Sequence, residues 1–393
     1  MERAPLRIAM IGCRGVPARF GGIERHVEEL GARLAARGHR VDVFCRTNYA
    51  GSRGRELRQY RGMTLRPLPT VGTKHLDAIV HSALATAVAL RGGFDVLHYH
   101  ALGPGMLAVL PRYASRARVV LTVHGLDDQR AKWGRGARTV LQAASWLSAR
   151  VPDVTIVVSR DLERHYRQVH RCPAVYVPNG VPAPQPHPPD GTTARLGLTP
   201  GRYLLFVGRF VPEKAPDLLL RAFRRLPGDH RLVLAGGSSF TDGYTRSLLA
   251  LAAGDPRVVL AGYVYGAELA ELYANAAAFV LPSRLEGLPL TLLEAASFGT
   301  PVVASAIPPH LEVLAASGPG RRLARPGDED GLLRALGQVL ADPAQERIGA
   351  AALRDQVLRA YSWDSAAEAT ERVYRRALSL ARSPPPAVAG QRT

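Results

Sequence analysis

Two carboxylates, Glu286 and Glu294, flank a glycine–proline turn in Arg284-Leu-Glu-Gly-Leu-Pro-Leu-Thr-Leu-Leu-Glu-Ala-Ala-Ser-Phe-Gly. Glu286 belongs to the turn. Glu294 lies among Leu, Ala, Thr, Ser and Phe, a run that reads as a buried helix. A buried carboxylate is costly unless hydrogen-bonded, and no Lys or Arg occurs between Arg284 and Arg321. A polyhydroxylated ligand would supply both glutamates with partners. Gly287 opens the turn and Pro289 suits a helix start. The N–H groups of Leu288, Leu290 and Thr291 would then point at an anion such as phosphate.

Earlier in the chain, Val207-Gly-Arg-Phe-Val-Pro-Glu-Lys puts Arg209 and Lys214 between an apolar run and a helical pattern. Two cations there suit the two phosphates of a nucleotide. Gly236 (in Ala-Gly-Gly-Ser-Ser) and Gly262 with Tyr263 (in Ala-Gly-Tyr-Val) also follow apolar runs. They would form the floor and walls of the same cleft. In the first half, Gly21-Gly22 precedes a helical pattern and can offer N–H groups to an anion or sugar hydroxyl, although glycines serve a plain tight turn equally well. His124, in Thr-Val-His-Gly, ends a buried run. A lone histidine at such a place is structural as often as functional.

The elements that must position these groups alternate regularly. Short apolar runs at Leu6–Gly12, Val41–Cys45, Met63–Leu68, Val96–Tyr99, Val119–Val123 and Val154–Val158 predict buried strands. Helical patterns lie between them, including 23–37, 76–91, 103–115 and 136–150. Such alternation predicts a parallel sheet covered on both faces. The pattern stops in a proline-rich stretch and restarts at Tyr203–Val207, Arg231–Ala235, Val258–Leu260, Ala278–Leu281 and Val302–Ala304. The chain therefore reads as two doubly wound α/β domains. The first spans 1–180, a linker 181–201, and the second 202–362; a C-terminal helix over 363–382 packs back on the first domain, and 383–393 is a disordered tail. In doubly wound sheets ligands bind beyond the carboxyl ends of strands, which is where the candidate residues fall.

Composition narrows the function classes. Cys13, Cys45 and Cys172 are odd in number and widely spaced, which suits a reducing cytosol and not a disulfide framework. The apolar run Ile8–Cys13 is too short for a signal peptide, and Ala78–Leu90 falls short of a membrane span; a soluble cytoplasmic protein is expected. Net charge is +18. Residues 1–200 hold 29 Lys and Arg against 14 Asp and Glu, and residues 201–393 hold 22 against 19. That imbalance suggests an anionic partner for the first half. No nucleic-acid-binding pattern accompanies it, so anionic lipid head groups or a diphosphate-bearing acceptor fit better. A genome rich in Arg codons accounts for the choice of Arg but not for the imbalance.

Taken together, Gly208-Arg-Phe-Val-Pro-Glu-Lys214, the Glu-x7-Glu pair and Gly299-Thr-Pro-Val-Val-Ala-Ser305 resemble the retaining GT-B glycosyltransferases of family 4, over almost the whole chain. Arg14-Gly-Val-Pro-Ala-Arg-Phe-Gly-Gly22 is similar to its exopolysaccharide and rhamnosyltransferase subgroup. The resemblance implies two Rossmann-like domains facing a central cleft. It also implies transfer of a hexose from a nucleoside-diphosphate sugar to a saccharide or lipid-linked acceptor, at the inner face of the cytoplasmic membrane. Arg209 and Lys214, with the helix-start N–H groups, would hold the donor diphosphate. Glu286 would contact the donor sugar, Glu294 the ribose, and His124 would lie near the sugar. Gly21-Gly22 would approach the diphosphate from the other domain. Asn179, in Val177-Pro-Asn-Gly-Val181, matches a recurrent inter-domain loop, and Ser159 is a weaker match. No cofactor is implied. No Asp-x-Asp metal motif is placed after a strand in this reading, so the cations take a metal's part. Gly-Leu-Pro-Leu-Thr-Leu-Leu between the glutamates departs from the usual pattern, where a second small residue or Phe-Gly is common. A nucleotide-sugar epimerase and a non-catalytic nucleotide-sugar-binding protein are the rival readings.

Overall fold

The computed structural model describes residues 4–19, 21–49, 57–71, 76–126, 135–185, 188, 191–238 and 242–381. The expected tail at 383–393 lies outside the described residues, as does part of the basic segment between Arg53 and Lys74. Two sheets organise the rest. The first contains β1 (Arg7–Ile11), β2 (Arg40–Arg46), β3 (Gln59–Tyr60), β4 (Met63–Leu68), β5 (Val96–His100), β6 (Arg118–Val123), β7 (Val154–Val157) and β8 (Val175–Tyr176). Their order across the sheet is β3-β4-β2-β1-β5-β6-β7-β8, all parallel except the β3–β4 pair. The second contains β9 (Tyr203–Val207), β10 (Arg231–Ala235), β11 (Val258–Gly262), β12 (Ala278–Leu281), β13 (Val302–Ser305) and β14 (Arg321–Ala324), ordered β11-β10-β9-β12-β13-β14. Strand order reverses between β1 and β5 in one sheet and between β9 and β12 in the other. Those are the two switch points, where doubly wound folds place their ligands.

Central strands are buried along their whole length, β5 (Val-Leu-His-Tyr-His) and β9 (Tyr-Leu-Leu-Phe-Val) being examples. Such runs bury both faces and need helices on each side. In the first domain α1 (Gly22–Ala36) carries the chain from β1 to β2. The helices α2 (Leu76–Arg91), α3 (Val109–Ala114), α4 (Arg135–Ser148) and α5 (Arg160–Gln168) step across the sheet in the opposite direction. Right-handed crossovers therefore put them on the other face. The helices of the second domain include α6 (Gly266–Asn275), α7 (Leu290–Ser297) and α8 (Glu329–Ala341). The last helix, α9 (Trp363–Ser379), lies against α1: Arg33 donates to Asp364 at 3.0 Å and Arg37 to Glu371 at 2.8 Å. The Tyr374 hydroxyl reaches His98 on β5 at 2.7 Å. Where the chain leaves the first domain it meets itself returning: the Val181 N–H donates to the Tyr361 carbonyl at 3.0 Å. A Cβ on Gly180 would sit 2.2 Å from the Trp363 nitrogen.

Two expectations need correction. The single helix predicted over 103–115 is a turn of helix at Leu102–Gly105, a 3-10 turn at Met106–Ala108 and then α3. Gly103-Pro-Gly105 and Pro111 deny it a continuous hydrogen-bond ladder. The strands β3, β8 and β14 add to the expected set; they have two to four residues, lie at or next to sheet edges, and lack an apolar run. Among the described residues no helix is long and apolar enough to cross a membrane.

Candidate active site

Lys214 and Glu286, 72 residues apart, form the centre of the site. The lysine sits on a 3-10 turn, Pro212–Lys214, after β9, and the glutamate on the loop after β12, so both lie at the second sheet's switch point. Lys214 Nζ lies 2.6 Å from Glu286 Oε1, and the Ser283 hydroxyl donates to the same oxygen at 2.7 Å. The Arg284 N–H, donating to the Glu213 carbonyl at 2.8 Å, ties the two loops together. Burial alone would raise the Glu286 carboxyl; Lys214, then His310 and Ser283, outweigh it and hold the group below the ordinary carboxylate range. The cation missing from the neighbouring sequence is thus supplied through space. Arg209, partly buried, stands two residues beyond β9 on the same loop as Lys214.

Glu294 is partly buried on α7 and accepts from the Tyr273 hydroxyl of α6 at 3.2 Å. Burial raises its carboxyl above the ordinary range, against the pull of Arg25 on α1 and the Tyr273 hydroxyl. Pro289 is the residue before α7 and not its first helical residue, and Leu292 makes the first bond back to it (3.2 Å). The N–H groups of Leu290 and Thr291 therefore precede the intrahelical ladder at the positive end of the helix. Across the cleft, a Cβ on Gly22, the first residue of α1, would lie 3.8 Å from Leu290 Cδ1. The two helix starts face each other. Gly21 is needed for conformation, at φ 104° with Glu24 Oε2 2.0 Å from where a Cβ would sit.

The first domain grips the Glu286 loop directly. A Cβ on Gly287 would lie 1.9 Å from the carbonyl oxygen of His124, which follows β6. Asn179 donates from Nδ2 to the Leu288 carbonyl (2.9 Å), and its Oδ1 lies 2.9 Å from His26 Nδ1 on α1. The His124 Nε2 is 3.3 Å from His100 Nδ1. At the far side of the second sheet, Gly236 donates to the Gly262 carbonyl at 2.7 Å, and Gly236 lies so near Gly208 that a Cβ would overlap its carbonyl at 1.9 Å. Tyr263, 47% exposed, stacks on Tyr265 with ring centroids 6.1 Å apart, and its hydroxyl donates to the Ser238 carbonyl.

Ser159 caps α5, accepting from the Leu162 N–H at 3.3 Å. One literal Asp-x-Asp does follow a strand: Asp328-Glu-Asp330, four residues beyond β14, which the reading of the sequence passes over because β14 has no apolar run. Asp328 caps α8 through the Gly331 N–H, while Glu329 and Asp330 pair with Arg221 and Arg225 on the surface, so its carboxylates serve structure. Sequence reasoning also misses His26, Ser283 and Tyr273, whose partners lie far away in the chain or carry no motif.

Comparison with known proteins gives this geometry a family. Residues 20–183 match the family described as glycosyltransferase family 4, and residues 195–355 that described as glycosyl transferases group 1. A D-inositol 3-phosphate glycosyltransferase of Streptomyces avermitilis is 30% identical over 97% of this chain and 90% of its own length. The chain belongs to glycosyltransferase family 4. A relative of the same description from Kineococcus radiotolerans is 31% identical, over 91% of each chain. Among solved structures, sucrose-phosphate synthase from Thermosynechococcus elongatus superposes on this glycosyltransferase with a TM-score of 0.82 at 25% identity, covering 94% of this chain and 98% of that one. Anabaena HepE, solved with UDP and glucose, gives 0.78 at 16% identity over 94% and 100%, a likeness of fold. The enzyme therefore has the GT-B architecture, its cleft lying between two Rossmann-like domains.

Proposed function

We propose that this glycosyltransferase moves a hexosyl group from a nucleoside-diphosphate sugar to a hydroxyl of a saccharide or lipid-linked acceptor. Transfer proceeds with retention, without a metal, in the assembly of a cell-surface polysaccharide or glycoconjugate. The Lys214–Glu286 pair beside Arg209, opposite the start of α7, carries the reading. Cleaving a sugar–phosphate bond leaves negative charge on the diphosphate and positive charge at the anomeric carbon. Arg209, Lys214 and the N–H groups of Leu288, Leu290 and Thr291 are preorganised for the first charge, and stabilisation of this kind is often the main source of rate enhancement. Glu286, turned by Lys214 and Ser283, takes the donor-sugar hydroxyls; Glu294 takes the ribose hydroxyls; His124 lies near the sugar from the other domain. Gly236, Gly262 and Tyr263 line the nucleotide end.

Retention requires attack from the face that the diphosphate leaves, with a phosphate oxygen taking the acceptor proton. Glu286 Oε1 already accepts from Lys214 and Ser283, which makes it a poor nucleophile and favours this route over a covalent intermediate. HepE with UDP and glucose, and a starch synthase bound to ADP, support a nucleotide-sugar donor. The relatives named D-inositol 3-phosphate glycosyltransferases favour a second acceptor reading, a phosphorylated polyol, which the basic first half would also suit. The test is release of nucleoside diphosphate from a panel of donors, with each acceptor class in turn. Arg209→Ala together with Lys214→Ala should cut the rate by about 10²-fold or more, and EDTA should not lower it. A rate untouched by the double change would sink the assignment; product formed without acceptor would indicate epimerisation or hydrolysis.

A further inference from the structure

We propose that His26, His100 and His124 form a binding site for a divalent transition-metal ion of the zinc class, and that its occupancy inhibits sugar transfer by holding His124. One ring nitrogen of each residue lies within 4.8 Å of those of the other two. His100 ends β5, His124 follows the adjacent β6, and His26 projects from α1; centroid separations are 4.6 Å (His26–His124), 5.5 Å (His26–His100) and 5.6 Å (His100–His124). Three imidazoles without a carboxylate select zinc, cobalt, nickel or copper over magnesium or calcium.

The neighbouring His98 shows what a satisfied buried histidine looks like here. Its two nitrogens meet the Tyr374 and Thr122 hydroxyls, each at 2.7 Å. By contrast, Nε2 of His26 and Nε2 of His100 are buried without a hydrogen-bond partner, in side chains 3% and 0% exposed. Asn179 spends its amide N–H on the Leu288 carbonyl, so its Oδ1 must accept from His26 Nδ1. That fixes the His26 tautomer with a lone pair on Nε2, and an outer hydrogen bond of this kind orients metal-binding histidines. A tetrahedral ion with bonds of about 2.0–2.1 Å needs its nitrogens roughly 3.4 Å apart. The triad must therefore contract, and His124, the only one of the three with appreciable exposure, can move to close it.

The full chain, stripped with EDTA, is titrated with Co2+ and followed by visible absorption. A tetrahedral cobalt band saturating at one ion per chain and displaced by Zn2+ is expected. His100→Asn should weaken cobalt binding about tenfold or more. Changing His165 and His170, a neighbouring pair with centroids 5.3 Å apart, to alanine should leave the band unchanged. Zn2+ should inhibit transfer over the range in which it displaces cobalt, with recovery on EDTA. No band from the wild-type chain, or a band lost with His165 and His170 only, overturns the site whether or not His100→Asn folds. The inhibitory role rests on the proposed place of His124 at the donor sugar. Stoichiometric zinc without inhibition overturns that role and leaves the site standing.

Discussion

Replacing Lys214 with methionine removes the cation while keeping most of the side-chain volume. The lysine and Glu286 side chains are 14% and 10% exposed and 2.6 Å apart, so the change strands a carboxylate out of water. Breaking a buried pair this way costs about 3–5 kcal/mol. Protonation sets a ceiling: keeping a carboxyl of ordinary pKa neutral at pH 7.5 costs about 4 kcal/mol, since each pH unit is worth about 1.4 kcal/mol. The sign depends on the two states. In the wild type the Glu286 carboxyl is held below its unfolded value, so its contribution is present above that value and lost as pH falls through the folded one. In the variant burial is opposed only by His310 and Ser283 and should raise the carboxyl, so the penalty is full at high pH and fades as pH falls toward the unfolded value. The stability gap should therefore shrink by about 1.4 kcal/mol per pH unit as Glu286 takes up its proton. Denaturant unfolding of both proteins between pH 7.5 and 5 measures it. Adding Glu286→Gln should restore most of the stability and flatten the pH dependence, while turnover stays down by about 10²-fold or more because the diphosphate has lost its cation. A gap independent of pH, or a double variant that recovers wild-type turnover, would refute the reasoning.

Because the Glu294 carboxyl is raised, it protonates at a higher pH than an ordinary carboxylate, and KM for the donor should climb as pH falls from 7 toward 5.5; Glu294→Gln should show a high KM with a flat profile. Gly287→Ala puts a methyl 1.9 Å from the His124 carbonyl and must push the loop off the first domain; turnover should fall by about 10²-fold, the usual cost of displacing a reacting group by an ångström, with unchanged far-UV circular dichroism. Leu110, Tyr113 and Trp146 are each at least 51% exposed on α3 and α4, beside Arg112 and Arg150, so the protein should float with anionic vesicles and not neutral ones. Trp146→Ala with Arg150→Glu should weaken that binding, and equally negligible binding of the wild type to both lipids would leave codon usage as the source of the charge.

Legibility tracks burial. Runs such as Val-Leu-His-Tyr-His and Tyr-Leu-Leu-Phe-Val read as strands because both faces are covered and most positions prefer to be apolar. β14, Arg-Arg-Leu-Ala at a sheet edge, has no such run to show. The carboxylates and cations stand out because a helix-borne Glu294 among apolar residues, and Arg209 two residues after a strand, break the surrounding pattern. What stays hidden is pairing across distance. A search for a cation between residues 284 and 321 finds none, although Lys214 is in contact with Glu286. Tyr273 reads as one more apolar residue of α6 until its hydroxyl is seen on Glu294. His26 gives no signal at all, since its partner Asn179 is 153 residues away.

The Glu286 loop answers to both domains, and this bears on how the cleft works. Its own domain holds it through Lys214 and Ser283. The first domain holds it through the Gly287 approach to His124 and through Asn179 on the Leu288 carbonyl. Asn179 is two residues from Val181, where the outgoing chain bonds to the returning one at Tyr361. Rotation about that double crossing would move each group in proportion to its distance from it, so Asn179, two residues away, would keep its bond to the Leu288 carbonyl while more distant parts of the cleft separate. Closure would then bring those parts back onto a Glu286 loop still held in register. On the proposed chemistry, the donor sugar's contacts would be complete only when water is excluded, which is the condition for transfer to outrun hydrolysis.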